Sequence, residues 1–427
     1  MKKKSKTNKK LAFLGGKKLI NKKFLSYNSI GKEELKAAQQ VLKKKELSSF
    51  LAGNLEGGLF VKKFENYLKK FYKVKYAITV NSWTSGLICA VGALDISPGD
   101  EIITTPWSMS ASAISILHWN AIPIFADIEL DSFNIDPSKV EALITSKTKA
   151  IMAVDIFGQS ANIKELKKIA KKHNLKIISD TAQAPGALYN KKYAGTLADI
   201  GGYSLNYHKH IHCGEGGILV TNDHDLAQRL RMLRNHAEAV IDSNSPNELC
   251  NMLGFNFRMG EIEASIASCQ LDKLNTRVLS RQIVAANLNE GLSSLKGLKT
   301  PRVSDESTHV YYVYGLTLDL DLINTTREKI ISALEAEGVP GIMRGYQNLH
   351  LLPMFRNKIA YGTSGFPWSS DFCTSNVEYK EGLCPIAEEL HSKTFFGLNI
   401  CMYELDEKDV DLVISSFKKV WENLELL

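Results

Sequence analysis

Three short stretches hold side chains whose chemistry could combine. Lys209 lies in the run from Tyr203 to Gly217, which has few other charges and ends on Gly214-Glu215-Gly216-Gly217. A primary amine there can attack a carbonyl carbon and afterwards carry protons, and the glycines permit close approach to a ligand. Alone, it reads equally well as a solvent-facing loop lysine. Asp180, 29 residues earlier, ends the run Leu175-Lys176-Ile177-Ile178-Ser179. A carboxylate at the end of a buried strand is costly unless it meets a cation or several donors; its other reading is a helix cap. Asn81-Ser82-Trp83-Thr84-Ser85-Gly86 stands where an apolar strand passes into a helix. Small hydroxylated residues there offer backbone N–H groups and a favourable dipole to phosphate, or simply cap the helix. Each signal is weak by itself. Together they meet the needs of pyridoxal 5'-phosphate: an anion cradle, a carboxylate that keeps the ring nitrogen protonated, and an amine for the Schiff base.

For these stretches to converge, they must leave the same edge of a sheet, since open α/β sheets bind ligands at the carboxyl ends of their strands. Short apolar runs at 76–80, 101–104, 122–125, 150–154 and 176–179 alternate with helical patterns at 84–94, 110–119 and 163–173. This predicts an α/β fold, with a mostly parallel sheet covered by helices on both faces. Helices are also expected at 32–46 and 61–71. After about residue 275 the pattern becomes α+β: a strand at 311–318, a helix at 327–337, a Gly/Ser/Pro-rich surface loop at 361–370, and a helix at 407–424 behind Asp406. The predicted division is a flexible basic leader over 1–24, a large cofactor-binding domain over 25–275 and a small C-terminal domain over 276–427.

Composition narrows the function. The chain has 427 residues, 44% hydrophobic and 23% charged, which excludes a disordered or fibrous protein. Its net charge of +7 comes from ten lysines within residues 1–31, where there is no acid, and the rest is mildly acidic. A basic groove for nucleic acid is therefore not expected. The first apolar run, Leu11-Ala12-Phe13-Leu14-Gly15-Gly16, falls short of the roughly 18–20 residues of a membrane span and of the roughly 7–15 of a signal peptide. Seven scattered cysteines without CxxC spacing predict reduced thiols and a cytoplasmic location. His208, His210 and His212 alternate, but no carboxylate or cysteine set completes a ligand shell, so no metal is expected.

The sequence resembles the DegT/DnrJ/EryC1/StrS family of pyridoxal phosphate-dependent sugar aminotransferases, of the aspartate-aminotransferase fold type I. The likeness runs from about Tyr27 to the C-terminal helix. It is carried by Pro98-Gly99-Asp100-Glu101-Ile102-Ile103, by Ser179-Asp180-Thr181-Ala182-Gln183-Ala184-Pro185-Gly186-Ala187, by Lys209 with its glycine turn, by Leu253-Gly254-Phe255-Asn256-Phe257-Arg258-Met259, and by Gln270-Leu271.

The resemblance implies a role for each matching residue. Lys209 forms the Schiff base, Asp180 pairs with the pyridinium nitrogen, and Gln183 lies near the ring hydroxyl. Thr84, Ser204 and the backbone at Trp83 and Thr84 hold the phosphate. Asn256 reaches the phosphate of a neighbouring subunit, which implies a homodimer with shared active sites. Two positions depart from the family pattern. Trp83 replaces a glycine, so its side chain is expected to point away or to line the substrate pocket. The ring-stacking aromatic position falls at Met109, with Trp107 near enough to compensate. The implied reaction moves an amino group from an amino acid, glutamate in relatives, to a keto sugar, most plausibly nucleotide-linked, for amino-sugar and surface polysaccharide biosynthesis. Three alternatives stay open. One is a sugar 3-dehydratase, which characteristically carries histidine where Lys209 stands. Another is a keto-cyclitol aminotransferase, whose opening resembles residues 11–16. The third is a cofactor-binding regulator or scaffold, expected to have lost Lys209 or Asp180.

Overall fold

A computed structural model describes residues 10–51, 53–237, 251 and 253–427; the first nine residues of the expected leader and Cys250 lie outside the described residues. The large sheet has seven strands: β1 (Tyr76–Val80), β2 (Glu101–Thr104), β3 (Ile122–Phe125), β4 (Thr148–Val154), β5 (Lys176–Asp180), β6 (Ile200–Ser204) and β7 (Gly217–Thr221). Their order is β1-β7-β6-β5-β4-β2-β3. β6, β5, β4, β2 and β3 pair in parallel, and β7 runs against both of its neighbours.

Helices cover both faces, so the strands are apolar on both sides. On one face Ile78, Val80, Ile178, Ile200 and Leu219 pack with Leu87 and Val91 of α3 (Trp83–Gly92), Ile116 of α4 (Ala111–His118) and Leu230 of α6 (His224–Arg234). On the other, Ala77, Tyr203, Ile218 and Val220 meet Val61, Phe64 and Leu68 of α2 (Leu59–Tyr72). α1 (Lys32–Lys44) precedes these, and α5 (Ile163–His173) follows β4.

α7 (Glu261–Leu292) is continuous across the expected division at 276. Its first half packs Leu271 and Leu274 beneath the large sheet, and its second half sends Val284, Leu288 and Leu292 into the core of the small one. That small sheet is antiparallel, in the order β8 (Leu298–Lys299), β9 (Tyr314–Leu318), β11 (Phe395–Leu398), β10 (Ile342–Arg344). α8 (Arg327–Ala336) and α9 (Glu407–Trp421) cover it, and Asp406 caps α9 in a reciprocal box with Asp409.

Two expectations need correction. Residues 10–24 are not a free leader: Leu11, Ile20 and Phe24 are buried in the small core with Leu288 and Leu316. The backbone N–H groups of Ala12 and Leu19 donate to the buried Glu337 carboxylate at 2.8 and 3.1 Å, which Lys419 also meets at 2.8 Å. The lysines of the segment obscured its apolar anchors. The stretch 361–370 is not a simple surface loop either. Tyr361 donates to the carbonyl of Leu117 (2.9 Å), and Trp368 to the hydroxyl of Tyr379, which in turn donates to the carbonyl of Pro123 in β3 (2.8 Å). It covers the sheet's edge, where Pro123 is tolerated for want of a ladder partner. No helix among the described residues is long and apolar enough to cross a membrane.

Candidate active site

Strand register brings the three stretches together. Gly217 at the start of β7 lies opposite Val80 at the end of β1 and Ser204 at the end of β6. Asp180 at the end of β5 lies opposite Gly202. The turn after Val80, the loop after Ser204 and the Asp180 carboxyl therefore leave one edge of the sheet. Ser82 opens α3 by accepting from the Ser85 N–H at 3.1 Å, leaving the amides of Trp83 and Thr84 ahead of the helix's own bonding ladder.

Asp180 and Lys209 are both buried, and each feels the other's charge. Burial pushes the Asp180 carboxyl above its usual range, against hydrogen bonds from Trp83, Ser112 and the Ala182 amide and against the Lys209 charge. Trp83 Nε1 donates to Oδ1 at 2.6 Å, Ser112 Oγ to Oδ2 at 2.8 Å, and the Ala182 N–H to Oδ1 at 3.2 Å. Burial likewise brings the Lys209 amine down from 10.5 to about 8, although Asp180 pulls it up. Its Nζ lies 4.2 Å from the ring centroid of Tyr312.

The other expected residues are scattered around this pair. Thr84 is exposed at the head of α3, and Ser204 is buried with its Oγ accepting from the Asn206 N–H. Gln183 is buried; its Oε1 accepts from the Phe157 N–H at 2.9 Å and its Nε2 donates to the Tyr346 hydroxyl at 3.1 Å. Met109 is 61% exposed just before α4, while Trp107 is wholly buried against Tyr346 and Phe395. Trp83 points away from the phosphate turn into the sheet core, where it reaches Asp180. Asn256 is exposed, its Oδ1 accepting from Arg258 Nε at 2.7 Å and its carbonyl from Asn81 Nδ2 at 3.5 Å.

The segment carrying the three histidines turns instead of extending. His210 is buried against the Val310 carbonyl at 2.7 Å, and burial holds both it and His208 down to about 4. Among the described residues no three His, Cys, Asp or Glu side chains form a metal-ligand group. Sequence reasoning missed Ser112 and Tyr312, and took Tyr346 only as the start of a stretch, 346–355, expected to choose the substrate. Each belongs to an element without a motif of its own, and only the pairing of distant segments brings it in.

This donor set fits pyridoxal phosphate. A buried carboxylate carries neutral donors and a neighbouring lysine, and the start of a ten-residue helix offers amides at the same sheet edge. Comparison with known proteins agrees. The model of the DegT/DnrJ/EryC1/StrS aminotransferase family matches residues 28–394. GDP-perosamine synthase of Caulobacter vibrioides is 36% identical over 85% of this chain and 90% of its own length. Spore coat polysaccharide biosynthesis protein SpsC of Bacillus subtilis is 32% identical over 81% of this chain and 88% of its own. The X-ray structure of the aminotransferase from Psychrobacter cryohalolentis superposes with a TM-score of 0.81 at 26% identity, over 94% of this chain and 100% of that one.

Proposed function

This chain belongs to the DegT/DnrJ/EryC1/StrS aminotransferase family, and on that premise we propose that it transfers an amino group from an amino acid, glutamate in the first instance, to a nucleotide-linked keto sugar. It is a pyridoxal phosphate-dependent transaminase. The observation that carries the transaminase chemistry is the buried pair Asp180 and Lys209; what supports the sugar substrate is that the relatives include a GDP-perosamine synthase.

The cofactor, when bound, supplies the electron sink that labilises a proton on the amino-bearing carbon. Asp180 would hold the proton on the ring nitrogen. The amides of Trp83 and Thr84, the Thr84 hydroxyl and Ser204 would hold the phosphate, and Gln183 would lie on the side of the ring hydroxyl. Lys209 would hold the aldehyde carbon, and its amine would serve to move a proton between donor and acceptor carbons. Its lowered pKa of about 8 enlarges the unprotonated fraction at neutral pH by roughly two orders of magnitude. The protein acts as a cytoplasmic homodimer with shared active sites; membership of the family supports the dimer, and the free thiols among the described residues support the location. Met109 would border the ring, whereas Trp107, wholly buried against Tyr346 and Phe395, offers it no open face; the product enters amino-sugar or surface polysaccharide synthesis.

The test is a half-reaction. Protein carrying the amino form of the cofactor, prepared with glutamate, is offered keto sugar nucleotides and keto cyclitols in turn. The visible absorbance should return with a keto sugar nucleotide. Return with keto cyclitols alone would move the substrate class, and turnover surviving Lys209→Ala would indicate dehydration. A protein that takes up no cofactor at all would end the reading.

A further inference from the structure

The geometry points to Trp83 as a positioning residue: its indole N–H, together with the Ser112 hydroxyl, keeps the Asp180 carboxylate ionised and aimed for the cofactor's ring nitrogen. This rests on the placement of pyridoxal phosphate against Asp180 given above, and it assigns a purpose to the tryptophan that stands at the head of α3.

A slot between two glycines fixes the indole. A Cβ on Gly202 of β6 would come within 2.2 Å of Trp83 Cζ3, and one on Gly86 of α3 within 2.7 Å of Cε3. With 5% of its surface exposed, the ring is closely confined. That placement brings Nε1 to 2.6 Å from Oδ1. From a different helix, Ser112 reaches Oδ2 at 2.8 Å, and Ser112 and Ser108 are themselves hydrogen-bonded at 2.9 Å. Both carboxylate oxygens are thus tied to donors on separate helices, which fixes the plane of the group while leaving lone pairs for a further partner.

The choice of donor matters. An indole N–H donates and cannot accept, so it offers nothing to a proton on Asp180 and favours the ionised form. Phenylalanine would fill the same slot without that bond. The titratable groups facing Asp180 are Lys209 from the loop after β6, Asp155 at the end of β4, and Tyr346 from the small unit. All are unchanged by a substitution at position 83.

The test measures cofactor binding by apoprotein. Full-length wild type and Trp83→Phe are titrated with pyridoxal phosphate from pH 6 to pH 9 and followed by absorbance. The variant should bind roughly tenfold more weakly at pH 8, and the ratio of the two dissociation constants should widen as the pH falls, because the donor it lacks favours the ionised form of Asp180 alone. The ratio cancels the titration of Lys209, which both proteins share. Ser112→Ala changes little volume and should move the ratio the same way; it carries the test if Trp83→Phe does not fold. A ratio near one, or a loss that stays constant with pH, overturns the proposal by reducing Trp83 to packing. Wild type that binds no pyridoxal phosphate would instead refute the functional reading.

Discussion

Two buried charge pairs in this fold are built to opposite ends. Arg234, at the end of α6, is wholly buried. Its Nη1 meets Glu65 Oε1 at 2.7 Å and the Thr79 carbonyl at 2.8 Å, and its Nη2 donates to the Leu55 carbonyl. Glu65 in turn accepts from the amide and hydroxyl of Thr79 at 2.9 and 3.0 Å. This pair binds α2, β1 and α6 to one another and answers charge with charge at contact distance. Both pairs touch an aromatic face, Arg234 that of Phe50 and Lys209 that of Tyr312, but the Asp180 carboxylate takes its hydrogen bonds from the neutral donors Trp83 and Ser112. The charges of this second pair are the ones burial disfavours, Asp180 pushed up and Lys209 down. A structural pair is completed by its own chain; a working pair keeps a cost that a bound cofactor can offset.

That contrast can be broken at either pair. The largest effect should come from Lys209→Ala, which should lower amino transfer about a thousandfold or more in a steady-state assay; near-normal turnover would remove Lys209 from its role. Next is Glu65→Gln. Leaving Arg234 buried without its carboxylate should cost about 3–5 kcal/mol in urea unfolding of the apoprotein, and a loss under about 1 kcal/mol would make this pair no better compensated than the site. Lys209→Met should do the reverse and stabilise the apoprotein by about 2–3 kcal/mol at pH 7. The amine's folded-state pKa of about 8 lies below its ordinary 10.5, so folding disfavours the protonated form. The cost is full below about pH 8 and vanishes as pH rises past 10.5, so the gain should shrink at pH 10; an equal gain at both pH values would trace it to packing. Smallest, the rate of cofactor capture by apoprotein should rise roughly tenfold from pH 7 to pH 9 as the amine deprotonates, and a flat profile would contradict the lowered pKa.

Some of this was legible in the residues alone and some was not. The five strand runs from 76 to 179 stood out because strands buried on both faces are nearly continuous apolar runs. Strand β7 escaped notice because the polar, glycine-bearing 206–217 segment in front of it dilutes its pattern. The anchors Leu11, Ile20 and Phe24 were hidden among lysines whose charges dominate a composition reading but stay outside the core. Trp83 was read against the phosphate turn, since sequence neighbours were its only visible context, whereas its indole runs inward to a carboxylate 97 positions away.

The chain by itself determined the cofactor chemistry and the sheet edge that carries it. Asp180, Lys209 and the turn at 81–86 are set by local pattern: each follows a strand, and strand ends are written in short-range hydropathy. Only the tertiary structure decided what surrounds them. Whether Asp180 is held by Trp83 and Ser112, whether Gln183 meets Tyr346, and whether residues 10–24 dock on Glu337 all depend on contacts between segments far apart in the chain. Such contacts are selected by the packing of the whole molecule, and no window of sequence contains both partners.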